Sequence, residues 1–311
     1  MLLSNKPFKN FASTMDNHII WKKIYNHLGS PRPFDVTLRD GLQNVSKENM
    51  SFFSLEKKKD IYNSIIKQYN PISAEIGSIV SPNVLPIFKD STELFDYCEQ
   101  KNNNESQFCN HYLLIPNKRK LKELMLNSAI ACNNFSFITS VSNSFQQKNT
   151  KKTLKETKVE IESMIQLLCF NEVKQIKLYI SCINQCPLEG KIHNDTIVQE
   201  ILQYNCPEIT NICLSDTMGT LEPNDFTYIV DKCYKHGIPY SKLSLHLHVQ
   251  KGRVNEVKRI FHEALDRRII QFDVSALETG GCSVTMQQSQ LAPNLSYEQY
   301  YTFLIDYLEK Y

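Results

Sequence analysis

Around residue 246 the chain reads Leu243-Ser244-Leu245-His246-Leu247-His248. Successive side chains of a β-strand point to opposite faces, so Ser244, His246 and His248 share one face and the leucines share the other. With its leucines packed on helices, such a strand presents two imidazoles to a common space. Joined by a carboxylate, they form the core of a divalent-metal site. Asp40, in Arg39-Asp40-Gly41 just after a short β-branched run, offers that carboxylate. Glu75 lies in the run Ser73-Ala74-Glu75-Ile76, and Asp216 closes Leu214-Ser215-Asp216. Cys282 follows Gly280-Gly281, a thiol on a loop that the glycines leave free to close. Each feature has an ordinary reading: solvated histidines on an amphipathic strand, Arg39 paired with a structural acid, Glu75 and Asp216 paired with strand-end bases, a plain loop thiol. The leucine alternation and the converging acids favour chemistry over these.

Bringing residues 39, 75, 216, 246 and 248 to one place requires a fold that gathers strand ends. From Phe34 onward, short β-branched or apolar runs alternate with stretches of helical period, the pattern of βα units around a parallel sheet. Eight runs begin near Phe34, Ser73, His111, Phe135, Ile176, Thr210, Leu243 and Ile269. They are spaced by about 34 residues, the length of one βα unit. Leu154, Ile161, Ile165 and Leu168 mark one apolar helix face, Val254, Val257, Phe261 and Leu265 another, and Phe303, Leu304, Tyr307 and Leu308 a third. Eight units without an internal linker predict a single (β/α)8 TIM barrel, residues 31–311, preceded by an N-terminal extension, residues 1–30. In that fold active sites lie at the carboxyl ends of the strands, where the residues above would fall. Gly41, Gly77, Gly219, Gly280 and Gly281 follow strand-like runs and are expected where backbone approaches a ligand; Lys101 to Gln107, polar and Asn-rich, reads as a surface loop.

Composition narrows the function classes. In 311 residues, 35 Lys and Arg stand against 33 Asp and Glu, so there is no broad electrostatic reason to expect nucleic acid or an anionic membrane as partner. No apolar run approaches the roughly 18 residues of a membrane span. The ten cysteines form no Cys-x-x-Cys pair, which argues against a zinc ribbon or disulfide scaffold and for a reducing compartment. No Gly-rich dinucleotide fingerprint or Walker loop is present. A cytoplasmic protein is expected, with mitochondria as the alternative because residues 1–15 lack acids and carry Lys6 and Lys9.

Arg39-Asp40-Gly41-Leu42-Gln43-Asn44 resembles the first-strand motif of 3-hydroxy-3-methylglutaryl-CoA lyase, and Asp35-Val36-Thr37-Leu38 resembles the wider group of metal-dependent aldolases and acyl-CoA synthases on this barrel. Glu75 through Ser81-Pro82, Ser181-Cys182 through Cys186-Pro187-Leu188-Glu189-Gly190, Asp216-Thr217-Met218-Gly219, His246-Leu247-His248 and Gly280-Gly281-Cys282 follow in the lyase's order and at similar spacing. The resemblance implies Asp40, His246 and His248 as metal ligands, with Asn294, just before the final helix, as the fourth. It implies Arg39 as the cation beside the reacting carbonyl oxygen, Glu75 and Asp216 as supporting acids, and Cys282 as the catalytic cysteine. One divalent cation, Mg²⁺ or Mn²⁺, suits mixed oxygen and imidazole ligands. The expected reaction is carbon-carbon cleavage of 3-hydroxy-3-methylglutaryl-CoA, or a related 3-hydroxyacyl-CoA, to acetyl-CoA and acetoacetate, with an acyl-CoA or oxo-acid substrate as partner and a homodimer as the expected form of association. The chain departs from the lyase pattern at Val45-Ser46, Val249, Glu278 and Ser283, all around the substrate position. A 2-oxo acid aldolase, an acyl-CoA condensing synthase or a barrel that binds a ligand without turnover are therefore the alternatives.

Overall fold

The computed structural model describes residues 32–104, 109–127, 132–169, 173, 175–280, 286 and 291–310. The proposed extension, residues 1–30, and Cys282 lie outside the described residues. Eight parallel strands make the central sheet: β1 (Phe34–Asp35), β2 (Ser73–Ser78), β3 (Asn110–Leu114), β4 (Asn134–Ser140), β5 (Gln175–Ser181), β6 (Asn211–Asp216), β7 (Leu243–Leu247) and β8 (Asp273–Val274). Their order is β8-β1-β2-β3-β4-β5-β6-β7, and the parallel bridge between Leu245 and Phe272 brings β7 back to β8 and closes the barrel. This is the (β/α)8 architecture expected from the alternating runs.

The first seven strands start within one residue of the expected positions. The eighth begins four residues later than Ile269, because Arg268 takes a left-handed conformation (φ 61°) that ends the preceding helix. Ile269 donates its N–H to the Ala264 carbonyl at 2.9 Å and is fully buried, so its apolar character serves the helix end and the core. Long helices cover the barrel, among them α1 (Leu55–Tyr69), α2 (Ser91–Asn104), α3 (Leu154–Leu168), α4 (Pro223–Lys235), α5 (Val254–Asp266) and α6 (Tyr297–Leu308). Thr153 and Ser296 start α3 and α6 with capping boxes, closed by Glu156 and Gln299. The expected apolar faces lie inward except at Val254, which is 41% exposed at the first turn of α5. Lys101 to Asn104, read as loop from their polarity, form the last turn of α2; the Asn102 side chain exchanges hydrogen bonds of 3.1 and 3.0 Å with the Cys109 backbone, so polarity here caps a helix.

Phe135, Phe137, Leu178, Ile180, Leu245 and Leu247 face the helices and join one large apolar core. The opposite faces of the strands fill the barrel interior, with Phe34, Val36 and Tyr112 in one cluster and Leu114, Tyr179 and Cys213 in another. Several interior positions are polar: Glu75, Lys177, Ser244, His246 and Asp273 are all 5% exposed or less. A polar interior must satisfy its own groups, because burying a charge without a partner costs far more than a surface pair gains. Those partnerships connect the barrel centre to its mouth.

Candidate metal centre and active site

β1 ends in a tight turn in which the N–H groups of Arg39 and Gly41 both reach the Val36 carbonyl, at 3.2 and 3.0 Å. The turn leads into a short helical segment, Asp40–Gln43, and holds Arg39 and Asp40 buried at the carboxyl end of the strand. On β7 the expected alternation holds, with Leu243, Leu245 and Leu247 1% exposed or less on the core side and His246 and His248 on the other. Asp40, His246 and His248 thereby offer ligand atoms that all lie within 4.8 Å of one another. His246 Nε2 is 3.1 Å from His248 Nε2 and 3.8 Å from Asp40 Oδ2.

The outer nitrogens decide which ring atom is available. His246 Nδ1 faces Asp273 Oδ2 at 3.1 Å, and His248 Nδ1 faces the Ala292 carbonyl at 2.8 Å. Both partners are acceptors, so each Nδ1 carries the proton and each Nε2 turns a lone pair into the shared space. Burial, then the neighbouring His246, push the His248 imidazole down to about 4, which keeps it neutral and able to ligate.

Asn294 completes the group. It pairs with His248 in an antiparallel bridge flanked by Val249 N–H to Pro293 O at 2.8 Å and Leu295 N–H to Leu247 O at 2.9 Å. Its Nδ2 donates to Asp40 Oδ2 at 2.9 Å, while its buried Oδ1 has no partner. An orphaned amide oxygen beside a carboxylate and two imidazole lone pairs is the donor set a divalent cation would satisfy. A Cβ on Gly280 (φ +146°) would lie 2.3 Å from Asn294 Nδ2 and 3.0 Å from Asp40 Oδ2, so only glycine fits against the cluster. Gly41, Gly77 and Gly219 instead press on protein neighbours, Ser275, Ser91 and the His248 carbonyl, where a ligand was expected.

Arg39 donates to Asp40 Oδ1 at 2.6 Å through Nη1 and to Glu75 Oε2 through Nε, with its guanidinium 4.9 Å from the centre of the Tyr179 ring. Tyr179 donates to the same Glu75 oxygen at 3.2 Å, and the other, Oε1, is buried without a partner. Burial alone would lower the Arg39 pKa, but Glu75 and Asp40 hold it well above its usual value. Asp216 lies outside the cluster: its oxygens accept the N–H groups of Thr220 at 3.1 Å and Leu221 at 2.9 Å, fixing the loop after β6. Burial raises its pKa to about 6 against those bonds. The segment leading to Cys282 is tied down, with Asn44 Nδ2 donating to Gly280 O at 2.6 Å and Thr279 Oγ1 to Gly41 O at 2.5 Å. Sequence reasoning missed Tyr179, Asp273 and Thr279. Tyr179 and Asp273 had a signal, as polar groups inside runs already read as strands.

No family model matches the chain. It is 25% identical over 260 residues, covering 81% of this chain and 78% of the relative, to a Pseudomonas aeruginosa protein named 3-hydroxy-3-isohexenylglutaryl-CoA/hydroxy-methylglutaryl-CoA lyase. It is 23% identical over 248 residues, 80% of this chain and 71% of the relative, to the mitochondrial hydroxymethylglutaryl-CoA lyase of Homo sapiens. Among solved structures it resembles the Pseudomonas aeruginosa hydroxymethylglutaryl-CoA lyase, with TM-score 0.75, 21% identity and 91% and 87% of the two chains covered. It also resembles an Acinetobacter baumannii HMG-CoA lyase in complex with coenzyme A and 3-methylmalate, with TM-score 0.73, 23% identity and 90% and 88% covered. The chain is thus similar in sequence to hydroxymethylglutaryl-CoA lyases and shares the TIM-barrel fold of the solved ones.

Proposed function

We propose that the protein is a divalent-metal-dependent carbon-carbon lyase that cleaves 3-hydroxy-3-methylglutaryl-CoA to acetyl-CoA and acetoacetate, or a related 3-hydroxyacyl-CoA to acetyl-CoA and the corresponding 3-oxo acid. The observation that carries the reading is the buried meeting of Asp40 Oδ2, two Nε2 lone pairs and the orphaned Asn294 Oδ1 at the barrel mouth. Asp40, His246, His248 and Asn294 would hold one Mg²⁺ or Mn²⁺. When bound, such a cation supplies a Lewis acid that lowers the pKa of a coordinated hydroxyl and orients a chelating substrate.

The chain's own residues account for the remaining steps. Cleavage beside a tertiary alcohol removes the hydroxyl proton and releases an enolate. Asp40 takes the proton, since both histidines carry a proton on Nδ1 and turn Nε2 toward the cation site. Arg39, held between Asp40 and Glu75, aims a fixed cation at the oxygen where charge develops, and Glu75 keeps it from swinging away. Asp216 supports the mouth by fixing the loop after β6. Cys282 protonates the enolate carbon of the departing acetyl thioester. Incubating Mn²⁺-loaded protein with a panel of 3-hydroxyacyl-CoA thioesters and 2-oxo acids tests this reading. Acetyl-CoA is the expected product; pyruvate released from a 2-oxo acid, with every thioester left intact, would make it an aldolase instead.

A further inference from the structure

We propose that Lys177 and Asp273, a charged pair inside the barrel, are positioning residues that hold His246 in its ligating orientation, an inference that rests on the metal-centre reading above. Asp273 lies on β8, beside β1 and next in the barrel to β7, and its carboxylate divides its two oxygens between two partners. Oδ1 accepts from Lys177 Nζ, and Oδ2 faces His246 Nδ1 at 3.1 Å. Lys177 reaches Asp273 from β5 across the interior, its ammonium 3.5 Å from the centre of the Phe34 ring and 4.9 Å from that of Tyr179. Both charges are removed from water, with side-chain exposures of 2% and 0%.

A buried pair of this kind is a poor source of stability, since apolar residues of similar size often serve a core as well or better. Its placement gives it another use. His248 Nδ1 is held by a backbone carbonyl, which the fold supplies unaided, whereas the partner of His246 Nδ1 is a side chain. Freed of Lys177, the Asp273 carboxylate would be a buried charge with His246 as its remaining close donor and the Cys213 thiol at 3.8 Å. It would turn or draw in water, and the imidazole would lose its fixed aim. Lys177 thus acts through Asp273, and Asp273 through His246. Outer partners of ligating histidines typically change metal affinity by about 10–100-fold when removed.

The test uses the full chain and Mn²⁺ as probe. Isothermal titration should show Lys177→Met and Asp273→Ala binding Mn²⁺ about 10–100-fold more weakly than wild type. Lys177→Arg, which keeps the charge and its reach, should recover most of the affinity. The visible spectrum of the Co²⁺-loaded protein should change in the first two variants and return in the third, which a loss of general stability would not produce. Folded Lys177→Met and Asp273→Ala proteins that bind Mn²⁺ like wild type would overturn the proposal. If those variants do not fold, ¹⁵N NMR of the wild-type His246 ring decides: a proton on Nδ1 with Nε2 ligated supports it, and a proton on Nε2 refutes it. Wild-type protein that binds no Mn²⁺ would refute the metal centre itself, a separate failure from intact binding that ignores residues 177 and 273.

Discussion

Two imidazole lone pairs 3.1 Å apart repel unless something positive lies between them, and Asp40 and Asn294 surround that space with oxygen. Removing one donor should therefore be costly. His246→Ala, His248→Ala and Asn294→Ala should each weaken Mn²⁺ binding by about tenfold or more, read by isothermal titration, and unchanged metal content in all three would place the cation elsewhere. Arg39 belongs to the reaction more than to binding, so Arg39→Met should lower turnover by about a hundredfold or more with modest change in KM. A pure loss of affinity would make it a docking group. Cys282→Ser should retain metal and fold yet lose most cleavage, because a hydroxyl is a far weaker acid than a thiol; wild-type turnover would exclude the thiol from the chemistry. At this scale the sequence was informative about the ligands, because the period-two pattern at Leu243 to His248 decides which side chains share a face. It was less informative about Asp216, since position at a strand end does not say which way a carboxylate turns, and the loop after β6 takes both of its oxygens.

Strands and loops supply the aim. The segment through Thr279 and Gly280 crosses directly over Asp40 and Asn294, so its backbone is part of the centre's wall. Gly280→Ala should displace Asn294 and reduce metal affinity by an amount comparable to loss of that ligand, with the barrel intact by circular dichroism; undiminished affinity would show that the wall can retreat. Two buried acids hold strand ends elsewhere, Asp35 through Thr37 and Tyr297, and Asp216 through its loop. Burial raises both to about 6. The folded state then binds these protons more tightly than the unfolded one, so their contribution to stability is full below about pH 4 and is lost as pH rises through about 6. Carboxyl ¹³C NMR should give midpoints near 6 for both residues, and midpoints near 4 would show the carboxylates to be better solvated than the structure has them. Element positions were legible because apolar runs and helical period alternate so regularly. The misreadings at Lys101 to Asn104 and at Ile269 arose where a polar residue caps a helix and where apolar residues serve a helix end.

The whole molecule is a closed barrel whose centre carries charge, and that charge leads to the mouth through Lys177, Asp273 and His246 on one side and Glu75 and Arg39 on the other. Among the described residues no helix is long and apolar enough to cross a membrane. The barrel could be read from eight runs at even spacing, but its polar interior could not, because side chains that meet across the centre are far apart in sequence, as Lys177 and Asp273 are. A cation that binds only the folded chain should stabilise it, by about 2.7 kcal/mol at a hundredfold excess over its dissociation constant. Mn²⁺ should accordingly raise the unfolding temperature of the wild type and leave His248→Ala nearly unmoved; equal shifts in both would indicate binding away from the cluster. The central claim is most directly tested by the initial rate of acetoacetate release from 3-hydroxy-3-methylglutaryl-CoA, measured on Mn²⁺-loaded protein, on the same protein stripped with chelator, and after Mn²⁺ is restored. The geometry predicts turnover that vanishes on stripping and returns with the metal, and a rate indifferent to the metal, or no release under any of the three conditions, would contradict it.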